Sequence, residues 1–303
     1  MRTDMDAANR RFKDIEVKTF VIEDEGPASW GPEEFKSELG IRILRDLRRG
    51  SLELRPLPEA ALRLAELARD PDPSIEAAVG VLERDPSLAS RVLRLAASPA
   101  MARRPPTDLA QAVMTVGLHE LRDIAFAVAS GRVFRAPGLN KEVKEEHLHS
   151  FQVGLATAEV FRRMGIGSKQ GFLVGMLHDI GALLLYSALS QYGRKSPEFL
   201  DKKFIARARH ALHAALGDAV IRSWGLNETV RAGAKYHHHP ADAGALTQVA
   251  LAVSVADYAA KLDATGVDDR AGQLCQHAPF FAAGLGTRDA TAISVAIESA
   301  ANV

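Results

Sequence analysis

The stretch GFLVGMLHDIGALLLY, residues 171–186, sets His178 and Asp179 side by side inside an otherwise apolar run. A neutral polar group taken out of water without a partner costs roughly 2–7 kcal/mol. A chain that buries this run must therefore pair the two side chains with their neighbours or use them to hold something. The run itself is helical in character, with no alternation of apolar and polar residues, and the same holds for the segments on either side of it.

Working outward, Leu57, Ala60, Ala61, Leu64, Leu67 and Ala68 recur at the three-and-four spacing of one helix face. Pro58 stands where a first-turn proline is tolerated. Ser74 is placed to cap the next helix, which closes at Asp85-Pro86, and Thr107 or Asp108 to cap another. LHELRDIAFAVASGRVF is expected to end near Gly131. RAPGLNKE (135–142) is the clearest internal break, with Pro, Gly and Asn together. IEVKTFVIED (15–24) is the one candidate strand. The pattern predicts an all-α protein of two packed helical subdomains, an N-terminal bundle over 51–135 and a C-terminal bundle over 136–265. Residues 1–50 read as a loosely attached arm and 266–303 as a C-terminal helical extension.

Composition narrows the class. Among 303 residues, 38 basic and 38 acidic side chains cancel, so there is no general attraction to nucleic acid or to anionic membrane. A single cysteine, Cys275, excludes an intrachain disulfide framework and a cysteine zinc site. MRTDMDAANRRFKDIEV lacks the apolar core of a secretory signal. His178 and Asp179 interrupt the best candidate for the ~18 apolar residues that a membrane helix needs. The expectation is a cytoplasmic protein with no membrane or nucleic-acid partner.

Eight of the ten histidines lie between His147 and His239. Any one of them reads as a polar residue on a helix surface or at a helix C-terminus, where a cation suits the dipole. The set reads differently. His149, His178, His213 and His238 fall in or at the end of separate helices, Asp179 follows His178, and Asp257 lies in the apolar run LAVSVADYAAKL. A carboxylate there needs a cation or a proton, and no compensating buried arginine is evident. Imidazole and carboxylate together suit Zn, Fe, Ni or Mn. Consecutive helical residues point ~100° apart, so at most two of His237, His238 and His239 can face one site.

The order His149, His178-Asp179, Asp257 resembles the H…HD…D signature of the HD superfamily of metal-dependent phosphohydrolases. His213 and the histidines of KYHHHP resemble the two further positions that some members use for a second metal. LPEAALRLAELARDPDPSIEAAVGVLERDPSLASRVLRLAAS and TDLAQAVMTVGLHELRDIAFA resemble the helical first part of the HDOD family, which pairs it with an HD-like helical part and is associated with bacterial signalling. The resemblance runs from about Arg55 to about Leu262. It implies a divalent metal centre of one or two ions (Fe, Mn, Zn or Ni) held by His149, His178, Asp179, Asp257, His213 and His238. His239 is the alternative to His238, and Asp179 the natural bridging carboxylate. It also implies a regulator acting through signalling proteins, with a nucleotide or cyclic dinucleotide as candidate ligand.

The alternative is a phosphohydrolase acting on such a nucleotide. Catalytic HD enzymes often carry a lysine soon after the doublet, whereas HDIGA places Ala182 there. The GYP motif of the related cyclic-di-GMP phosphodiesterases is absent after HHHP, and LAAS puts Ala97 where the HDOD family usually has Asn. These departures favour the regulator.

Overall fold

The computed structural model describes residues 33–49, 51–52, 58–68, 70, 72–97, 104–167, 170–266 and 269–298. Every regular element among them is helical, as the apolar spacing predicts. The candidate strand at 15–24 lies outside the described residues.

Helix α1 (Glu33–Arg48) departs from the expected loose arm. Leu39, Ile43, Leu44 and Leu47 form a buried stripe on it. Tyr192 donates from its hydroxyl to Asp46 at 2.7 Å, and the Arg42 guanidinium lies 4.1 Å from the Tyr192 ring centroid. A charged sequence with one apolar face docks against the second half of the chain and supplies part of its core.

Helices α2 (Glu59–Leu67), α3 (Ile75–Glu83), α4 (Pro86–Ala96), α5 (Leu109–Val116) and α6 (Leu118–Val133) follow. Ser74, Asp85 and Asp108 each accept from the backbone N–H three residues on, satisfying donors that a helix start leaves unpaired. Gly117, at φ 87°, lets α5 turn directly into α6. Residue 131 lies inside α6, which runs on to Val133. A helical glycine costs only about 1 kcal/mol, and burial of Val133 and Phe134, the latter 6.3 Å from the Trp224 ring, outweighs it.

Helices α7 (Asn140–Arg163), α8 (Gly171–Met176), α9 (Ile180–Gly193), α10 (Lys202–Ser223), α11 (Glu228–Tyr236) and α12 (Thr247–Ala264) build the rest of the centre. Short helices α13 (Arg270–Leu274) and α14 (Ala278–Ala282) lead to α15 (Thr287–Glu298), which lies against α7 and α12. Buried apolar side chains form two clusters, one from α2–α6 and a larger one from α1 and α7–α15. Helix α6 contributes to both, through Leu121, Ile124 and Ala125 to the first and Phe126 and Val133 to the second. Gly171–Gly193 and Pro240–Ala264 are long and apolar enough to cross a membrane, contrary to the sequence expectation, but the apolar window of the first is 94% buried inside the fold. Core burial accounts for its hydropathy.

Candidate metal centre

The HD doublet sits where the apolar run of 171–186 breaks. Helix α8 ends at Met176, α9 begins at Ile180, and Asp179 occupies the N-cap position of α9. Glycines on both sides let neighbouring helices close in. A Cβ on Gly181 would strike the backbone of His213 and Gly217 on α10, and one on Gly175 would strike Val153 and Thr157 on α7. The doublet is thereby held between α7 and α10.

Hydrogen bonds to carbonyls aim three imidazoles. Nδ1 of His178 donates to Gly175 O (2.7 Å), that of His213 to Arg209 O (2.6 Å), and that of His237 to Ala234 O (3.0 Å). A carbonyl can only accept, so Nδ1 carries a proton in each ring, and in His213 and His237 Nε2 faces inward with its lone pair.

Two sets of donors converge. In the first, Nε2 of His149 and of His178 lie 3.0 and 3.8 Å from Asp257 Oδ1. In the second, Nε2 of His213 and of His237 lie 3.4 and 3.5 Å from Asp179 Oδ1, and His238 Nε2 lies 2.9 Å from that of His213. His178 also joins the sets, 3.5 Å from Asp179 Oδ2. Within each of the groups His149–His178–Asp257, His178–Asp179–His237 and His213–His237–His238, the ligand atoms lie within 4.8 Å of one another.

Each aspartate is split between a cation and the histidines. Arg209 donates from Nη2 to Asp179 Oδ2 at 2.6 Å, and from Nε and Nη2 to Glu146 at 2.9 Å each. Lys261 donates to Asp257 Oδ2 at 2.6 Å. The expectation of no compensating arginine is therefore corrected, although Arg209 is half-buried and not fully buried. Arg209 arrives from α10, and its partners lie 30 and 63 residues away. Both Oδ1 atoms, with Nε2 of His149 and His178, are buried and lack a hydrogen bond of good geometry.

Charge follows this arrangement. Burial raises the carboxyl pKa of Asp179, but the positive charge of His178 and Arg209 beside it outweighs burial and holds the group well below the usual range. Burial acts likewise on Asp257, and His149, His178 and Lys261 outweigh it. Burial pushes His213 down, His237 far down and His238 to about 4, so these three are neutral at pH 7. Asp179 and Asp257 hold His178 above its ordinary value despite burial.

Of the residues singled out in the sequence, His149, His178, Asp179, Asp257, His213 and His238 come together, whereas exposed His239 belongs to none of the convergent groups. His147 is also outside them, with Nδ1 on Val143 O. His237 was passed over in favour of its neighbour, yet it is 1% exposed and lies at the heart of the second set. Its signal was present. The buried face of α11, Val230, Gly233 and Ala234, leads to position 237 at helical spacing. Glu146, Arg209 and Lys261 carried no comparable mark. From beyond α12, His277 stacks on Tyr258 with ring centroids 4.0 Å apart.

The donors fit a divalent transition metal. Nε2 atoms of His213 and His237 face each other at 3.3 Å, both neutral and both with the proton on Nδ1. Two lone pairs turned toward one point, beside an anionic Oδ1, form an arrangement that a cation satisfies and a hydrogen bond does not. Three imidazoles and one carboxylate oxygen form a set of N/O ligands of the kind zinc and its neighbours take.

Comparison with known proteins agrees with this architecture. The structure is similar to that of a candidate metal-dependent phosphohydrolase from Shewanella amazonensis SB2B, with TM-score 0.61, 19% identity, and coverage of 87% of this chain and 99% of that one. It is similar to an HDOD domain protein with unknown function from Geobacter sulfurreducens, with TM-score 0.58, 24% identity, and coverage of 86% and 93%. At these identities the likeness concerns the fold alone. An uncharacterized protein of Treponema pallidum (strain Nichols) is 25% identical over 142 residues, which are 44% of this chain; the match spans only 27% of that relative's length. The HDOD domain matches residues 54–240, ending before α12 and Asp257. With more than half of its length matched, this chain belongs to the HDOD domain family.

Proposed function

We propose that the protein is a cytoplasmic bacterial signalling regulator that acts through protein partners, and that its centre holds a divalent transition metal without turning over a substrate. The observation that carries the metal is the pair of inward lone pairs on His213 and His237 beside Asp179 Oδ1. The same centre argues against turnover. Phosphoryl transfer needs positive charge on the transferring oxygens beyond the metal. Here Ala182 is fully buried at the position of the familiar lysine, and Arg209 and Lys261 are engaged with carboxylates.

The second reading is a phosphohydrolase acting on a nucleotide or cyclic dinucleotide. It is favoured by the convergence of all six residues that the HD resemblance implies. A turnover assay separates the two. Ion-stripped protein is supplied separately with Mn, Fe, Ni and Zn, and cleavage of cyclic dinucleotides and nucleoside monophosphates is followed in wild type and Asp179→Ala. The regulator reading expects no cleavage above the mutant background. Multiple turnovers lost in Asp179→Ala would put the enzyme first.

A further inference from the structure

The two donor sets differ in what stands behind their carboxylates. Beside Asp179 Oδ1 stand Nε2 of His213 and of His237, and His238 Nε2 adjoins that of His213, so three nitrogens and one oxygen supply a set of four. Among the described residues, Asp257 Oδ1 is approached by His149 and His178. The atom that would complete this second set is Asp179 Oδ2, 3.5 Å from His178 Nε2. That oxygen is taken by Arg209, whose guanidinium bridges Asp179 and the buried carboxylate of Glu146. Tyr186, itself buried, donates to the same Glu146 at 3.2 Å. Lys261 places another positive charge on Asp257.

From this we infer that Arg209 is a resident cation that stops Asp179 from bridging two metal ions. The inference rests on reading the centre as an ion site, and it gives that site a rule. The ion sits with Asp179 Oδ1, His213, His237 and His238. The position between His149, His178 and Asp257 stays closed to a dication while the guanidinium holds Oδ2. A guanidinium between two carboxylates does there what a bridging metal would do, neutralising both at fixed geometry. A dication added beside it meets two cations, Arg209 and Lys261, at separations where unscreened repulsion is large. Removing Arg209 frees Oδ2 and opens the second position.

The test counts ions. Full-length protein without a histidine tag is stripped and equilibrated with Mn²⁺ or Zn²⁺, and bound metal per chain is measured by mass spectrometry of the dialysed protein. Wild type is compared with Arg209→Gln and with the double variant Arg209→Gln/Glu146→Gln, which leaves no unpaired Glu146 carboxylate should the single variant fold poorly. Arg209→Lys keeps the charge. The expected result is one further ion per chain in both Gln variants relative to wild type, with Arg209→Lys unchanged. A wild type holding no ion beside Gln variants holding one would defeat the metal reading of the native centre, yet leave Arg209 as the blocking cation. Equal counts in wild type and folded Gln variants would overturn the inference, as would a gain in Arg209→Lys as large as that in Arg209→Gln.

Discussion

Arg209 donates to Asp179 Oδ2 at 2.6 Å, and this one contact decides which carboxylate oxygen faces His213 and His237. With Oδ2 occupied, Oδ1 is left to His213 and His237. A buried charge pair of this kind does little for net stability, but removing one partner strands the other at a cost of roughly 3–5 kcal/mol. Glu146, also buried, would keep the Tyr186 hydroxyl as its partner among the described residues. Arg209→Ala is expected to lower stability by an amount in that range in urea melts of ion-free protein. The double variant Arg209→Gln/Glu146→Gln should recover part of it.

Neighbouring histidines should differ sharply. His237→Ala removes a buried inward-facing nitrogen and should weaken ion binding by about tenfold or more, since even outer-sphere partners commonly cost that much. His239→Ala removes an exposed ring outside the convergent groups. It should leave affinity unchanged in a competition titration with a chromogenic chelator. Equal losses in the two variants would mean that the HHH tract binds the ion as a flexible surface cluster.

Glycine 181 carries the approach of α9 to α10. Gly181→Ala drives a methyl group into the backbone of His213 and Gly217. Overpacking of this kind costs about 1–3 kcal/mol or more, and this backbone clash should reach the upper end. Gly80→Ala, in the interior of α3 with open space around the new methyl, should raise stability by up to about 1 kcal/mol. Thermal melts of the two variants check opposite signs on one instrument.

Asp123 gives a pH dependence away from the ion centre. Burial lifts its carboxyl to about 7, against the attraction of Arg122 beside it and with Glu120 adding to the rise. The native state keeps the proton up to that pH, while the unfolded chain loses it near the ordinary value of 3.8. The sign follows by linkage. The contribution is fully present below about pH 4 and is lost as pH rises through 7, at no more than about 1.4 kcal/mol per pH unit. In urea melts between pH 4.5 and 8, Asp123→Asn should flatten this fall. A wild-type stability that rises over this window by the same amount in both proteins would contradict it.

Much of the helical frame is readable from apolar spacing, because a helix packed on one face must repeat every three or four residues. Ser74 and Asp108 could be read as caps because their hydrogen bonds are local, whereas Asp85, read as the close of one helix, also caps the next. Helix α1 was missed because its many charges hide a four-residue apolar face, Leu39, Ile43, Leu44 and Leu47. The HD doublet announced itself as a polar pair in an apolar run. Arg209 did not, since an arginine on a long helix looks solvated until its tertiary partners are known. That His237 joins His238 while His239 does not turned on helix phase, which α11 displays in Val230, Gly233 and Ala234.

The central claim is that these side chains hold a metal ion, and the most direct measurement is ion content. Tag-free protein is stripped with chelator, incubated with equimolar Mn, Fe, Ni and Zn under reducing conditions, desalted and analysed for metal, beside Asp179→Ala treated identically. Thermal midpoints are recorded with and without the ions. The account predicts that wild type retains a divalent transition metal and melts at a higher temperature when loaded, because an ion bound only to the folded state adds its binding free energy to folding. Asp179→Ala should retain none and show no shift. A folded wild type that retains no more metal than the mutant, with melting unchanged by any of the four ions, would contradict it.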